Sequence, residues 1–75
     1  MLGDREAIVV EVRPFDIHGS GFVDVTVVFP DRSTSSARLG AESVPSDLAP
    51  GERVRVSMAV NMIVAIQRSE AQDGS

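Results

Sequence analysis

The sequence predicts an all-β fold, a small five-stranded barrel built from one domain. Apolar residues recur at every second position in several short segments, which is the pattern of half-buried strands. Clusters of Gly, Pro, Asn and Asp separate these segments, and no segment shows the spacing of an amphipathic helix. The 75 residues leave room for one small domain. We place this domain at residues 1–68, with residues 69–75 as a flexible polar tail.

The first strand is predicted at residues 7–15, where apolar and polar side chains alternate. The alternation places Ile8, Val10 and Val12 toward the core, and Glu11 and Arg13 toward solvent. Residues 16–21 contain two glycines and predict a turn. A second strand follows at residues 22–29, and its core-facing positions recur at period two: Val23, Val25, Val27 and Phe29.

A tight turn is predicted to join the second strand to the third. Pro30 fixes the φ angle at the first central position of this turn, and Asp31 accepts a hydrogen bond from the backbone two residues on. The returning strand, residues 34–39, is polar until Ala37 and Leu39, which is typical of an exposed or edge strand. Residues 40–51 contain two prolines and predict a connector with one helical turn at residues 46–49.

The fourth strand, residues 53–60, has the clearest alternation in the chain, with four positions facing inward: Val54, Val56, Met58 and Val60. Asn61 tolerates the left-handed conformation and predicts a reversal before a fifth strand at residues 62–68. Five short strands of this kind suit a closed or partly closed barrel, because an open sheet would leave one face uncovered.

Residues 48–56, Leu-Ala-Pro-Gly-Glu-Arg-Val-Arg-Val, resemble the segment that enters the fourth strand of many OB-fold proteins. The order of the elements is also similar, so the resemblance covers most of the chain. It implies an OB-like fold and no particular activity. A Pro-Gly turn before an alternating strand also occurs in SH3-like barrels, which remain the alternative fold.

The charge balance narrows the classes of partner. Seven basic residues, all of them Arg, stand against 11 acidic residues, which gives a net charge of −4. Phosphate-binding surfaces usually carry a basic excess, so this balance opposes nucleic acid and anionic membranes as partners. The sequence has no Cys for disulfides or thiolate metal sites. It shows no signal peptide or membrane-spanning run, and we expect a cytoplasmic protein.

The residues that could carry chemistry are few. His18 is the only histidine and lies beside Asp16, so the loop at residues 16–21 is one conceivable small-molecule or metal site. A zinc site needs three or four ligands and a triad needs a nucleophile with an oriented base, and neither follows from the local spacing. The run 19–21, Gly-Ser-Gly, lacks the Lys of a phosphate loop. We therefore expect no enzyme, no cofactor and no catalytic or metal-binding residue, and we interpret His18 as a turn residue.

Single-stranded nucleic-acid binding of the OB type is the alternative function. Such binding uses aromatic side chains that stack on bases and basic groups that neutralise phosphates. The chain has three Phe and no Trp or Tyr, which makes a poor stacking surface. Glu11 and Asp24 share the outward parity of the basic residues and are expected to pair with them. The candidate polar binding face consists of four residues: Phe22, Arg38, Arg53 and Arg55.

The first and fifth predicted strands carry apolar residues on both faces. Val9 and Ile63 point away from the inward positions, and no predicted helix covers them. Either the strands coil and bury both sides where they cross, or Val9 and Ile63 lie in a protein interface. A chain this small gains stability from association. We therefore expect a non-enzymatic interaction or assembly module, bound to a protein partner or to itself as a homo-oligomer.

Overall fold

The computed structural model describes residues 2–69 and is an all-β structure. Its strands are β1 (Leu2–Ile17), β2 (Ser20–Val28), β3 (Thr34–Gly40), β4 (Arg53–Ala59) and β5 (Met62–Arg68). The predicted fold class is confirmed, and the observed strands match the predicted ones closely. The main difference in extent is β1, which is 16 residues long and begins before the predicted strand. The described residues include no helix long and apolar enough to cross a membrane.

The strands form one antiparallel sheet in the order β3-β2-β1-β4-β5. Strand β1 is central because it is long enough for two partners. Its first half pairs with β4, from Leu2 opposite Ala59, and its second half pairs with β2 up to Ile17 opposite Ser20. Three strands joined by hairpins, with the fourth returning beside the first, make a Greek key. The sheet curls so that β3 comes beside β5, and these two edges share no hydrogen-bonded ladder within residues 2–69.

The chemistry of the turn residues explains the first two hairpins. His18 and Gly19 form a two-residue turn between β1 and β2, with φ angles of 49° and 85°. Two consecutive positive φ angles fit the type I′ turn that matches strand twist, and Gly adopts them at no steric cost. In the β2–β3 turn, the Ser33 N–H donates to the Asp31 carboxylate at 3.0 Å, as predicted for Asp31. Pro30 precedes Asp31 at the first central position of this turn.

The interior is a single cluster of buried apolar side chains to which all five strands contribute. Val25, Val56 and Ile66, which period-two counting placed inward on three separate strands, are buried. The other buried members are Ala7, Val9, Val27, Phe29, Leu39, Val54, Met58 and Ile63. Strands β2 and β4 therefore follow the predicted alternation, except that Val60 lies in the β4–β5 turn and is exposed.

The predicted inward face of β1 is wrong at its centre. Val9 is 2% exposed, whereas Ile8 is 36% and Val10 50% exposed. The cause is a β-bulge, because the register with β2 shifts between Val9 and Glu11. The extra residue reverses which parity faces the core, so Val9 lies inside before the bulge and Val12 packs against the core after it.

Strand β5 contains a second irregularity with the same effect. The β4–β5 register shifts between Ser57 and Met58, and Ile63 on β5 is only 5% exposed while Val64 is 40% exposed. Both residues that we assigned to self-association, Val9 and Ile63, are therefore part of the protein's own core. A side chain that is buried within the chain cannot form the contact of an interface.

Two further local expectations differ from the structure. The helical turn of the connector is a 3-10 turn at Ala41–Ser43 rather than at residues 46–49. Ser69, which we placed in the tail, is buried, and its backbone N–H donates to the Arg53 carbonyl at 3.3 Å. The hydrogen bonding between β4 and β5 thus continues beyond Arg68 to Ser69. The rest of the predicted tail, residues 70–75, lies outside the described residues.

Candidate interaction surface

The outer face of the sheet exposes an apolar site around Ile8. Ile8 is the residue at which β1 changes partner, with Val28 of β2 on one side and Arg53 of β4 on the other. A cleft of about 510 Å³ lies here, and its walls include Val28, Phe29 and Pro30 together with Arg53. This cleft is the most apolar of the surface depressions described on the sheet. It combines apolar walls with one cation, Arg53, and one carboxylate, Glu6, which is paired with Arg55 at 3.6 Å.

The β2–β3 turn fixes one wall of the Ile8 cleft. The side chain of Phe29 is buried in the core, and the Arg5 guanidinium lies 3.9 Å from the centre of its ring. The Arg32 N–H donates to the Phe29 carbonyl at 2.8 Å, which closes the turn around Pro30. Since the proline ring also restricts its own φ angle, this wall is preformed. A preformed wall lowers the entropy cost of binding.

Most of the Arg side chains are paired with carboxylates. Arg38 donates two hydrogen bonds to Asp24, at 2.9 and 3.2 Å. These bonds lower the pKa of Asp24 below its usual range, and they raise the pKa of Arg38. The other pairs are Arg5–Asp31, Arg13–Glu11, Arg55–Glu6 and Arg68–Glu52, at 3.2 to 4.0 Å except for the last at 2.9 Å.

Arg53 differs from these paired cations. All seven Arg residues lie within residues 2–69. Arg32 and Arg53 are the two that take part in none of the ion pairs described there. Arg32 belongs to the β2–β3 turn, whereas Arg53 lines the cleft beside Ile8. An exposed guanidinium beside an apolar wall is well suited to a carboxylate that arrives with an apolar group.

A second surface feature lies toward the other end of β1. The rings of Phe15 and Phe22 stack with their centres 5.9 Å apart, and the Arg38 guanidinium lies 4.5 Å from the centre of the Phe15 ring. Phe15 and Phe22 face each other across the β1–β2 ladder. Both rings are half-buried. The Arg38 charge above them is already engaged by Asp24.

The structure divides the predicted polar binding face into two parts. Phe22 and Arg38 come together through Phe15. Arg53 and Arg55 lie on β4, opposite the first half of β1. The two parts are separated by on the order of 20 Å at the rise of an extended strand. They do not form one site, and Arg55 is engaged with Glu6 at 3.6 Å.

The hairpin at residues 16–21 presents an apolar residue beside an acid. Ile17 is exposed, and Asp16 next to it takes part in no ion pair or side-chain hydrogen bond described in residues 2–69. His18 is exposed in the turn, as predicted from the sequence. No group of three or more His, Cys, Asp or Glu with the geometry to hold a metal occurs in the described part of the chain.

The β4–β5 hairpin exposes apolar side chains without any charge. Val60, Met62 and Val64 are all exposed, and residues 59–67 contain no Asp, Glu, Lys or Arg. Ile8 and Val10 of β1, predicted to face the core, are exposed as well, because the bulge between Val9 and Glu11 changes the parity of the strand.

No protein-family model, no curated protein and no solved structure matches this chain.

Proposed function

We propose that this chain is a non-enzymatic protein-interaction module of the OB-like type that assembles with itself through the Ile8 cleft. The observation that carries the proposal is the exposure of Ile8 in an apolar cleft beside Arg53, a cation without a carboxylate partner in residues 2–69. Apolar surface that is concave and bordered by a charge is typical of sites that bind another protein.

The size of the chain supports association. A domain of this length buries a small fraction of its unfolded surface, and the chain has no Cys to add a disulfide. The largest fully buried apolar side chains are all valines. Covering Ile8 and Val10 in an interface adds about 25 cal/mol for each Å² of apolar surface removed from water.

The strand order supports the OB-like assignment. The OB fold is a five-stranded, partly open Greek-key barrel. The order β3-β2-β1-β4-β5, the Greek key of β1 to β4 and the approach of β3 to β5 without a ladder in the described chain fit that description. The Greek key supports the OB-like barrel over the SH3-like alternative.

Light scattering coupled to size exclusion tests the assembly proposal. We expect the wild-type chain to elute as an oligomer at about 100 μM, since an interface of standard size holds partners together well below that concentration. Ile8→Ser, which removes the apolar wall at the cleft, is expected to give a monomer. Met62→Ser is the matched control, because Met62 is more exposed than Ile8 and lies on the β4–β5 hairpin, where it does not line the cleft. A monomeric wild-type chain at that concentration contradicts the proposal.

Single-stranded nucleic-acid binding remains the second candidate, and the stack of Phe15, Phe22 and Arg38 favours it. Stacking on two rings and one guanidinium is the mode by which sequence-independent binders hold bases. The Arg38–Asp24 pair opposes it, because the carboxylate repels phosphate. The test is a salt series with a labelled oligothymidine. Binding that weakens with salt and is lost in Phe22→Ala supports this candidate, and no binding at low salt contradicts it.

A further inference from the structure

Strand β5 has one edge that no ladder of the sheet uses. It pairs with β4 along one side, and in the described part of the chain no ladder joins its other side to β3. In an antiparallel pair each residue directs its N–H and C=O together, either to the partner strand or away from it, and successive residues alternate. The Ser69 N–H donates to the Arg53 carbonyl, so Ser69 and Gln67 face β4. Ile66 and Arg68 therefore direct their backbone groups away from β4.

These backbone groups lie beside an open gap. A depression of about 650 Å³ separates residues 65–68 of β5 from residues 42–45 of the connector. Ile66 lines this gap although its side chain packs in the core, so its backbone is the part that a bound chain meets. An unpaired strand edge is matched by another extended backbone, which presents donors and acceptors at the same spacing.

The charge that remains available in this gap is negative. The two charged residues that line it are Glu42 and Arg68. The Arg68 guanidinium is occupied, because it donates to the Glu52 carboxylate at 2.9 and 3.4 Å and to the Ser46 carbonyl at 2.9 Å. Glu42 is exposed and takes part in no ion pair or side-chain hydrogen bond described in residues 2–69. The gap therefore favours a chain that brings a Lys or Arg to Glu42.

From the free edge and its charge we infer that β5 binds an extended, basic peptide segment of a partner protein as an additional strand of the sheet. The peptide backbone pairs with Ile66 and Arg68, and a basic side chain of the peptide meets Glu42. Backbone pairing excludes proline at the paired positions but tolerates most other residues. The gap shares no lining residue with the Ile8 cleft, so the inference goes beyond self-association and does not depend on it.

Nucleic acid and a second copy of the chain match this edge less well. The Glu42 carboxylate repels phosphate, which supplies most of the affinity of nucleic acid for proteins. If the β5 edges of two copies paired about a twofold axis, both Glu42 carboxylates would lie in the same interface. Like charges in an interface oppose the contact, and the whole chain carries a net charge of −4. A basic peptide has neither disadvantage.

Amide hydrogen exchange of the free protein tests whether the edge is open. We expect the Ile66 amide to exchange at least about tenfold faster than the Gln67 amide, because Gln67 donates within the ladder and Ile66 does not. Exchange of Ile66 as slow as that of Gln67 means that the edge is already paired, and it overturns the inference. Protection of Ile66 that rises with protein concentration identifies a second copy as the occupant, and it overturns the inference as well.

Titration with a short peptide tests the occupant. The probe is acetyl-Thr-Val-Lys-Val-Lys-Val-Thr-amide, and the exchange of the Ile66 amide in the wild-type chain is followed by nuclear magnetic resonance. We expect the peptide to slow this exchange at about 1 mM, a concentration that detects weak association. The same peptide with methyl groups on two adjacent central backbone nitrogens cannot pair along either of its edges, and we expect it not to bind. An unchanged exchange rate with the first peptide, or equal binding of the second, overturns the inference.

Charge reversal at Glu42 tests the recognition of the basic side chains. Glu42→Lys is expected to weaken binding of the Lys-containing peptide at least about fivefold and to strengthen binding of the same peptide with Glu in place of Lys. Glu11→Lys is the matched control, because it makes the same change in net charge at an exposed residue of β1 that does not line the gap. We expect the control to bind as the wild type does. An equal loss of binding in both variants overturns the role of Glu42, whereas a loss in Glu42→Lys alone supports it.

Discussion

The regular strands and the bulged strands of this sheet show how far a hydrophobic pattern determines a structure. Strands β2 and β4 alternate without interruption, and their valines are buried as period-two counting predicts. Strands β1 and β5 each contain a bulge, and the core-facing residues on the two sides of it are three positions apart: Val9 and Val12 in β1, and Ile63 and Ile66 in β5. One extra residue thus exchanges the core face and the outer face.

The exchange has a functional consequence. Val9 and Ile63, which looked like the exposed residues, stabilise the core, while Ile8 and Val10 become exposed apolar surface. The proposed interaction site therefore stays on the outer face of the sheet but is formed by Ile8, one residue before Val9. A bulge that changes the direction of side chains near a binding surface is a recurrent feature of β proteins.

The largest expected effect on stability comes from placing a charge on the buried face of β5, compared with the same charge on its exposed face. Ile63→Arg places an unpaired guanidinium in the core, and we expect it to lower the free energy of unfolding by about 4 kcal/mol or more and to leave the chain largely unfolded. Met62→Arg places the same charge on an exposed neighbour and is expected to change the stability by less than about 0.5 kcal/mol. Circular dichroism and urea denaturation measure both. Equal stability of the two variants contradicts the bulged register.

A smaller truncation compares the two faces of β1. Val9→Ala removes two buried methyl groups and is expected to cost about 2 kcal/mol, whereas Val10→Ala, one residue on, is expected to cost less than about 0.5 kcal/mol. The two variants are chemically identical, so the difference reports burial alone. Urea denaturation below the concentration at which the chain associates is the appropriate measurement. If Val10→Ala is the more costly change, the parity read from the sequence was right.

The charged residues on the two sides of the bulge in β1 show the change of face in the structure. Asp4 and Glu6 face outward at even positions, and Glu11 and Arg13 face outward at odd positions. A regular strand cannot satisfy both sets, so one residue between them must be inserted. The intervening run at residues 8–10 is Ile-Val-Val. Three β-branched residues give no preference between the faces, and residues 4–6, Asp-Arg-Glu, carry charges at both parities. The position of the bulge could therefore not be predicted from the sequence.

Other features depend on contacts that are distant in sequence. The turn before β2 and the Asp31 turn between β2 and β3 follow from hairpin chemistry and were accessible from the sequence. The change of partner at Ile8 was not, because it requires β1 to continue back to Leu2 and to pair with β4 across a connector. The cleft exists only at that junction. The pairing of Arg38 with Asp24 was expected, since both have outward parity on neighbouring strands.

A substitution in the β4–β5 turn is expected to raise the stability of the chain, whereas the substitutions above lower it. Val60 has a φ angle of 60°, which a β-branched residue adopts at a cost of about 1–2 kcal/mol. Glycine adopts this angle freely but loses about 0.5–1 kcal/mol through its unfolded-state entropy. Val60→Gly is therefore expected to stabilise the chain by about 0.5–1 kcal/mol.

The adjacent residue is the matched control for Val60. Asn61 is not among the residues with positive φ, so Asn61→Gly gains no relief and is expected to be slightly destabilising. Thermal unfolding of both variants shows which of the two residues has the left-handed backbone conformation. If Asn61→Gly is the stabilising change, then the left-handed position is Asn61, as the sequence alone indicated.

The smallest expected effect concerns the outer face and its dependence on pH. Hydrogen bonds from Arg38 hold the pKa of Asp24 below the ordinary value of 3.8, so the folded state binds this proton less readily than the unfolded state. The contribution of the pair is therefore complete above that ordinary pKa and is lost as the pH falls through the folded pKa. Because the pair is exposed, we expect Asp24→Asn to lower the melting temperature at pH 7 by no more than about 3 °C. The difference between the variant and the wild type should shrink as the pH falls below the ordinary pKa of 3.8 and through the folded pKa of Asp24. A difference that stays unchanged as the pH is lowered means that Asp24 acts through packing rather than through its charge.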